Sequence, residues 1–202
     1  MGFSEIKGSI RHGFGGVTRF SGRDTRGQFW PFAIFLFLAT SALSYIAMIP
    51  DLLRMMTGLI EVVEKADRDR AAGLPVSAPF PGKDGSIPPE MIPDFTTTFL
   101  LTGALNAIAI LLIAAAVARR LHDRDRAGYW GLMPLPFSII GLVFGVRMVD
   151  QMMRAPFGGG SPLVSLLMLN AAAGWALLAF LVVLLVGDGT EGPNRFGPAP
   201  PA

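Results

Sequence analysis

The sequence predicts an all-α membrane protein, a four-transmembrane-helix bundle with an amphipathic extracytoplasmic helix. Three observations lead there. Residues 29–49, 95–118, 130–146 and 163–186 contain no Asp, Glu, Lys, Arg or His. Crossing a hydrocarbon core of about 30 Å takes roughly 20 apolar helical residues, a length three stretches meet and 130–146 only approaches. Arginine-rich segments separate the stretches on alternate sides. Hydrophobic residues make up 51% of the chain against 16% charged, with a mean hydropathy of +0.51. They run continuously, without the interruptions of a soluble amphipathic helix.

The N-terminal segment, residues 1–28, places Phe3, Ile6, Ile10, Phe14 and Val17 at helical spacing beside Lys7 and Arg11. That pattern suits a helix lying in the inner interface, drawn to anionic lipid. Five glycines before Thr18 oppose it, each costing about 1 kcal/mol relative to alanine. The first span, 29–49, follows with no small-residue cleavage site after it, so it is expected to stay as an anchor.

The extracytoplasmic loop, 50–94, divides in two. Leu52, Met56, Leu59, Val63 and Ala66 recur at spacings of three and four between charged residues, predicting an amphipathic helix over 51–72. Pro50 marks a kink or break before it. Its apolar stripe either rests on the outer membrane surface or a partner, or packs on the bundle itself. Residues 73–93 hold six prolines and three glycines and read as an irregular linker.

The second span is 95–118. The third, 130–146, carries Pro134 and Pro136 near its start, where a missing N–H costs least, and is expected to be tilted or distorted. Gly158-Gly159-Gly160 supplies a short outer turn. In the fourth span, 163–186, fourteen residues are Leu, Val or Phe, which favours insertion by at most about 4 to 8 kcal/mol. Residues 188–202 form the tail, closing a transmembrane domain of 29–187.

With four spans, both termini share one side. Ten Lys or Arg fall there: Lys7, Arg11, Arg19, Arg23, Arg26, Arg119, Arg120, Arg124, Arg126 and Arg195. The other side has seven, spread over a longer length: Arg54, Lys65, Arg68, Arg70, Lys83, Arg147 and Arg154. Positive charge near span ends is retained inside, so both termini are expected in the cytoplasm. The charge of +2 and pI near 9.4 belong to membrane orientation and lipid head groups and imply no nucleic acid. Cysteine is absent, which removes disulfides, thiol nucleophiles and Cys-based metal sites. His12 and His122 lie too far apart in sequence for a metal motif, and no cofactor is expected.

Three segments stand at the cytoplasmic edge. Phe20-Ser21-Gly22-Arg23-Asp24-Thr25-Arg26-Gly27-Gln28-Phe29-Trp30 leads into the first span. Arg119-Arg120-Leu121-His122-Asp123-Arg124-Asp125-Arg126-Ala127-Gly128-Tyr129-Trp130 joins the second and third. Gly187-Asp188-Gly189-Thr190-Glu191-Gly192-Pro193-Asn194-Arg195-Phe196-Gly197-Pro198 follows the fourth. In this order they resemble the domain-of-unknown-function 805 family of small bacterial inner-membrane proteins, over most of the chain from Phe20 onward. Gln28 stands where that family often has glutamate and Tyr129 where it often has tryptophan, and the long Pro-rich loop is a further departure. The resemblance implies a four-helix domain in a bacterial inner membrane and no established activity.

Two roles compete for these residues. In one, the arginines orient the chain, Trp30, Tyr129 and Trp130 anchor it at the interface, and Asp123 neutralises Arg23, Arg26 or Arg195. Arg23 and Arg26, three apart, point the same way, and Arg119 and Arg120 complement a helix C-terminus. In the other, Arg23, Arg26, Arg119, Arg120, His122, Asp123, Asn194 and Arg195 form a pocket for an anionic phospholipid head group, a phosphate or a protein partner. Catalysis is not expected: neighbouring His122 and Asp123 rarely align as a base with its orienting carboxylate, and no nucleophile accompanies them. Inside the spans, Asn106 and Asn170 suit interhelical hydrogen bonds, with Thr102, Gly103 and Gly174 allowing close approach. No ionisable residue lies within a span, and no internal repeat is visible, so transport lacks support. The expectation is a non-enzymatic membrane scaffold or interaction protein, alone or as a homo-oligomer. A small-solute transporter or channel is the alternative.

Overall fold

Capping decides where the first two helices begin. The computed structural model describes residues 2–74, 96–154 and 162–200; most of the expected linker at 73–93 and the Gly158-Gly159-Gly160 turn fall outside them. Helix α1, Phe3–Gly15, starts where the Glu5 carboxylate accepts the Gly2 N–H at 2.7 Å. Helix α2, Arg26–Ala71, starts with a reciprocal cap. Thr25 Oγ1 accepts the Gln28 N–H at 3.3 Å, and Gln28 Oε1 accepts the Thr25 N–H at 2.9 Å. A glutamine at position 28 therefore performs the capping that a glutamate would.

The glycines of α1 permit its docking on α2. A side chain at Gly13 would overlap the Phe32 ring, and Phe14 meets Phe32 and Phe35 edge-on at 5.2 and 6.0 Å. Pro31 lacks the N–H that would bond the Gly27 carbonyl. Ser9 Oγ takes its place, donating to Gly27 O at 2.9 Å. The helix expected at the N-terminus thus exists, and its small residues face the protein. Phe3, Ile6, Lys7 and Arg11 stay exposed.

Pro50 does not break the chain. The first span and the predicted outer helix form one 46-residue helix, about 69 Å long at 1.5 Å per residue. Pro50 removes one backbone bond only, and beyond it Asp51–Arg54, Glu64–Arg68 and Asp67–Arg70 pair along the helix surface. Asp51 is buried and bonded by the Thr98 hydroxyl. Leu52, Met56, Leu59 and Val63 remain exposed.

Helix α3, Thr96–Asp123, ends in a Schellman motif. Arg126 N–H reaches Leu121 O at 2.9 Å and Asp125 N–H reaches His122 O at 3.0 Å. Asp125 occupies the left-handed position with φ of 54°. The third span begins differently from expectation. Residues Gly128–Leu132 form a 3-10 turn laid against Ala118 and Val117, and α4 runs only from Leu135, past 146, to Arg154. Pro134 and Pro136 explain the late start, since neither can donate to a preceding carbonyl. Helix α5 is Pro162–Val186.

The described residues thus include four helical segments long and apolar enough to cross a membrane: Arg26–Ala71, Thr96–Asp123, Gly128–Gly145 and Pro162–Val186. They pack as two hairpins, α2 on α3 and α4 on α5, with lighter contact between the pairs. The buried cluster is Phe29, Phe32, Leu36, Ala116, Val117, Leu121, Leu181 and Leu185. These lie in the first third of α2 and the final turns of α3 and α5, so the core sits at one end. Elsewhere the large apolar side chains face outward, as lipid-facing surface does.

Gly13→Leu is expected to undock α1 while leaving the spanning helices intact. Faster proteolysis between residues 15 and 25, with unchanged helical circular dichroism, would show it.

Candidate functional site

The end of the bundle that holds the core also buries five charged side chains. Arg119 and Arg120 are 1% and 0% exposed, Asp24 is 2% and Asp123 is 4%, and Arg23 is similarly enclosed. Asp24 and Arg23 come from the loop between α1 and α2, the other three from the last turn of α3. Burying a charge is tolerable only when it is paired and its remaining donors are bonded. Almost every donor here is.

Arg23 Nε donates to Asp123 Oδ1 at 3.1 Å, with Nη2 3.0 Å from the same oxygen. Its Nη1 reaches Gly192 O at 2.7 Å and its Nη2 reaches Thr190 O at 2.8 Å, which fastens the tail. Arg120 holds the other oxygen of Asp123 with Nη1 at 2.5 Å and donates through Nε to Leu185 O at 2.9 Å. Its Nη2 bonds Gly187 O. Arg119 Nε pairs with Asp24 Oδ2 at 2.8 Å, and Nη1 binds Gly16 O at 2.7 Å and Arg19 O at 2.5 Å. Arg119 Nη2 is the one buried side-chain atom without a partner among the described residues. His12 Nε2 lies 3.1 Å from the second oxygen of Asp24, tying α1 to the network.

Helix ends explain why cations gather here. The last four carbonyls of α5 have no partner within the helix. Arg124 Nη1 bonds Val183 O at 3.2 Å and Leu184 O at 2.5 Å, and Arg120 takes Leu185 O. Two arginines from α3 thus cap α5, where the negative end of the helix dipole stabilises positive charge.

The tail folds onto this surface as a closed loop. Asn194 and Gly197 exchange two backbone bonds of 3.0 Å. Asn194 Nδ2 donates to His122 O and to Thr190 Oγ1, both at 2.9 Å. Phe196 stacks on the His122 ring at 3.9 Å, and the Arg195 guanidinium lies 4.8 Å from the Phe196 centroid.

The three segments singled out in the sequence therefore converge, and of the three partners offered for Asp123 the structure selects Arg23 and adds Arg120. Asp123 joins Arg23 and Arg120, whereas Arg26 pairs with Asp188 and Arg195 with Asp125 at 3.0 Å. Arg23 precedes α2 and Arg26 opens it, so the two do not act as one helical face. His122 Nδ1 faces Gly22 O at 3.3 Å, and Asp123 is engaged by arginines, so the neighbours form no base–carboxylate pair. Trp30 and Trp130 are half-buried against the core, while Tyr129 is 66% exposed and stacks on Trp130. Asn170 bonds across helices to Phe137 O at 3.0 Å. Asn106 does not cross: its amide donates to Thr102 O of its own helix at 2.8 Å. Among the described residues, no three His, Asp or Glu side chains gather as metal ligands would.

Sequence reasoning assigned no role to Asp24, Thr190 or Phe196, and to Arg124 only that of orienting the chain. A lone acid between Arg23 and Arg26 was the available signal for Asp24. Arg124 and Thr190 act on or through backbone carbonyls, which side-chain patterns do not reveal.

Fold and site together define a four-span helical membrane protein closed at one end by a buried arginine–aspartate network. The chain belongs to the family described as "Protein of unknown function (DUF805)", whose model matches residues 17–198. Searches of curated proteins and of solved structures each return no match.

Asp123→Ala strands Arg23 and Arg120 without their carboxylate and is expected to destabilise the protein by about 3–5 kcal/mol, read as a fall in melting temperature in mild detergent. Gly189→Ala places a methyl against the Asp123 carboxylate. Its expected effect is smaller, with release of the tail to carboxypeptidase.

Proposed function

We propose that this protein is a non-enzymatic scaffold or interaction protein of a bacterial inner membrane, with both termini cytoplasmic, presenting a braced basic surface to anionic lipid or a partner. The supporting observation is the division of labour among the basic residues. Arg23, Arg119 and Arg120 are spent internally on carboxylates and backbone carbonyls, which holds the edge rigid. Lys7, Arg11, Arg19, Arg26, Arg126 and Arg195 remain exposed around them. Helix α1 adds Phe3 and Ile6, exposed beside Lys7 and Arg11, the combination by which interfacial helices bind anionic bilayers. Each basic residue near such a surface contributes about 1 kcal/mol.

Small-solute passage is the second reading, favoured by Asn106, Ser138 and Asn170 lining one groove between the helices. The rest of that lining is largely apolar, a poor path for a hydrated solute.

Two measurements test the proposal. The chain has no cysteine, so single-cysteine variants Ser4→Cys and Ser86→Cys report sidedness directly. In intact spheroplasts an impermeant maleimide should label only Ser86→Cys; labelling of Ser4→Cys would reverse the orientation. In nanodiscs of mixed phosphatidylglycerol and phosphatidylethanolamine, the wild type should enrich the anionic lipid around itself. Lys7→Glu/Arg11→Glu/Arg126→Glu should abolish that enrichment, as should raising salt to about 1 M, where the Debye length is about 3 Å. Equal enrichment in the variant removes the lipid-contact role, and solute flux into liposomes would then favour the second reading.

A further inference from the structure

The two hairpins meet at the polar end and again where α3 packs on α4 at Gly103 and Gly145, and between them lies a trough of about 960 Å³ lined almost wholly by apolar side chains. Water filling that volume would find few polar groups to bond beyond Asn106, Ser138 and Asn170. A trough within the hydrocarbon layer is filled instead by something apolar and elongated.

The end nearest the arginine–aspartate network is different. Trp30, His122 and Tyr129 line it. Among the described residues, Trp30 Nε1–H, Tyr129 Oη–H and His122 Nε2 have no hydrogen-bond partner, although the neighbouring polar network is almost fully bonded. Because a carbonyl only accepts, the contact with Gly22 O places the His122 proton on Nδ1 and leaves Nε2 as an acceptor. The rim thus offers two donors and one acceptor. Around it the three edge segments carry seven arginines against five carboxylates, an excess of positive charge.

We infer that the trough binds one anionic phospholipid with a hydroxylated head group. Its acyl chains lie between α2–α3 and α4–α5. Its phosphate accepts from Trp30 and Tyr129, and a head-group hydroxyl donates to His122 Nε2. A helix from another protein fits less well, because its backbone groups are already paired and leave the rim unmatched. The inference rests on the proposed lipid contact only for the sign of the head-group charge; the trough and its rim stand apart from the exposed basic surface.

Native mass spectrometry of the full chain, loaded with phosphatidylglycerol and washed in mild detergent, tests it. The wild type should retain one phosphatidylglycerol per chain. Ala171→Trp fills the trough from an exposed position on α5 and should lower occupancy at least about tenfold while the protein stays monodisperse and helical. Tyr129→Phe removes one oxygen from an exposed ring and should lower occupancy several-fold, roughly the value of one hydrogen bond; it decides the matter if Ala171→Trp misfolds. Lys7→Glu/Arg11→Glu/Arg126→Glu and high salt should leave this lipid in place, which separates it from surface enrichment. Equal occupancy in the wild type and both trough variants overturns the site. So does a wild type that keeps no phospholipid. Equal retention of phosphatidylethanolamine in competition overturns the head-group assignment.

Discussion

The arrangement depends on burying Arg23, Arg119 and Arg120 together with Asp24 and Asp123. Removing charges from water costs several kcal/mol per ion, and their attraction returns that only when geometry and residual hydrogen bonds are good. Net stability is therefore a weak explanation for the network. Specificity is a stronger one. Between spans in lipid there is little hydrophobic drive, since acyl chains are as apolar as leucine. Apolar helices such as α5, whose last dozen residues are nearly all Leu, Val, Ala or Phe, have little to fix their depth or rotation. A misregistered α5 would move Leu185 O and Gly187 O away from Arg120 and leave a buried guanidinium unpaired. That penalty selects one register.

The same constraint shapes the rest of the bundle. Because the network and the core coincide, helix contact is tightest at one end. Local devices hold the helices elsewhere: Gly174 admits Phe137 and Asn170 reaches Phe137 O within the α4–α5 pair, and Gly103 admits Leu142 between α3 and α4. Among the described residues nothing comparable links α2 to α4. The trough is thus the space left where the two hairpins meet mainly through α3.

The sequence made the spans and converging edge segments legible because both are written in side-chain chemistry: long uncharged runs and arginines beside them. Three features were not. Pro50 marked a plausible break, but α2 continues, since one missing bond is small against the helix on either side. The start of the third span was set by Pro134 and Pro136 acting on backbone donors, which moved it from a helix to a 3-10 turn. Which of Arg23, Arg26 and Arg195 holds Asp123 depends on where the loop before α2 runs, which brings Arg23 there beside Arg120. Glycine misled most. In α1 it counted against a helix, yet Gly13 is what allows the helix to dock on Phe32.

Arginine, and not lysine, is required by the acceptors. Arg120 bonds a carboxylate, the last turn of α5 and Gly187 from one planar group. Arg23 likewise spans Asp123, Thr190 and Gly192. An ammonium concentrates three donors at a point and cannot reach acceptors arranged around a fork. The fork in turn demands that the tail come close. Side chains at Gly187 and Gly189 would overlap Arg124 and Asp123. Residues in three separated segments, Arg23 before α2, Arg120 and Asp123 at the end of α3, and glycines after α5, are therefore one unit. The forked cation sets the distance, the carboxylate neutralises it, and the missing side chains make room.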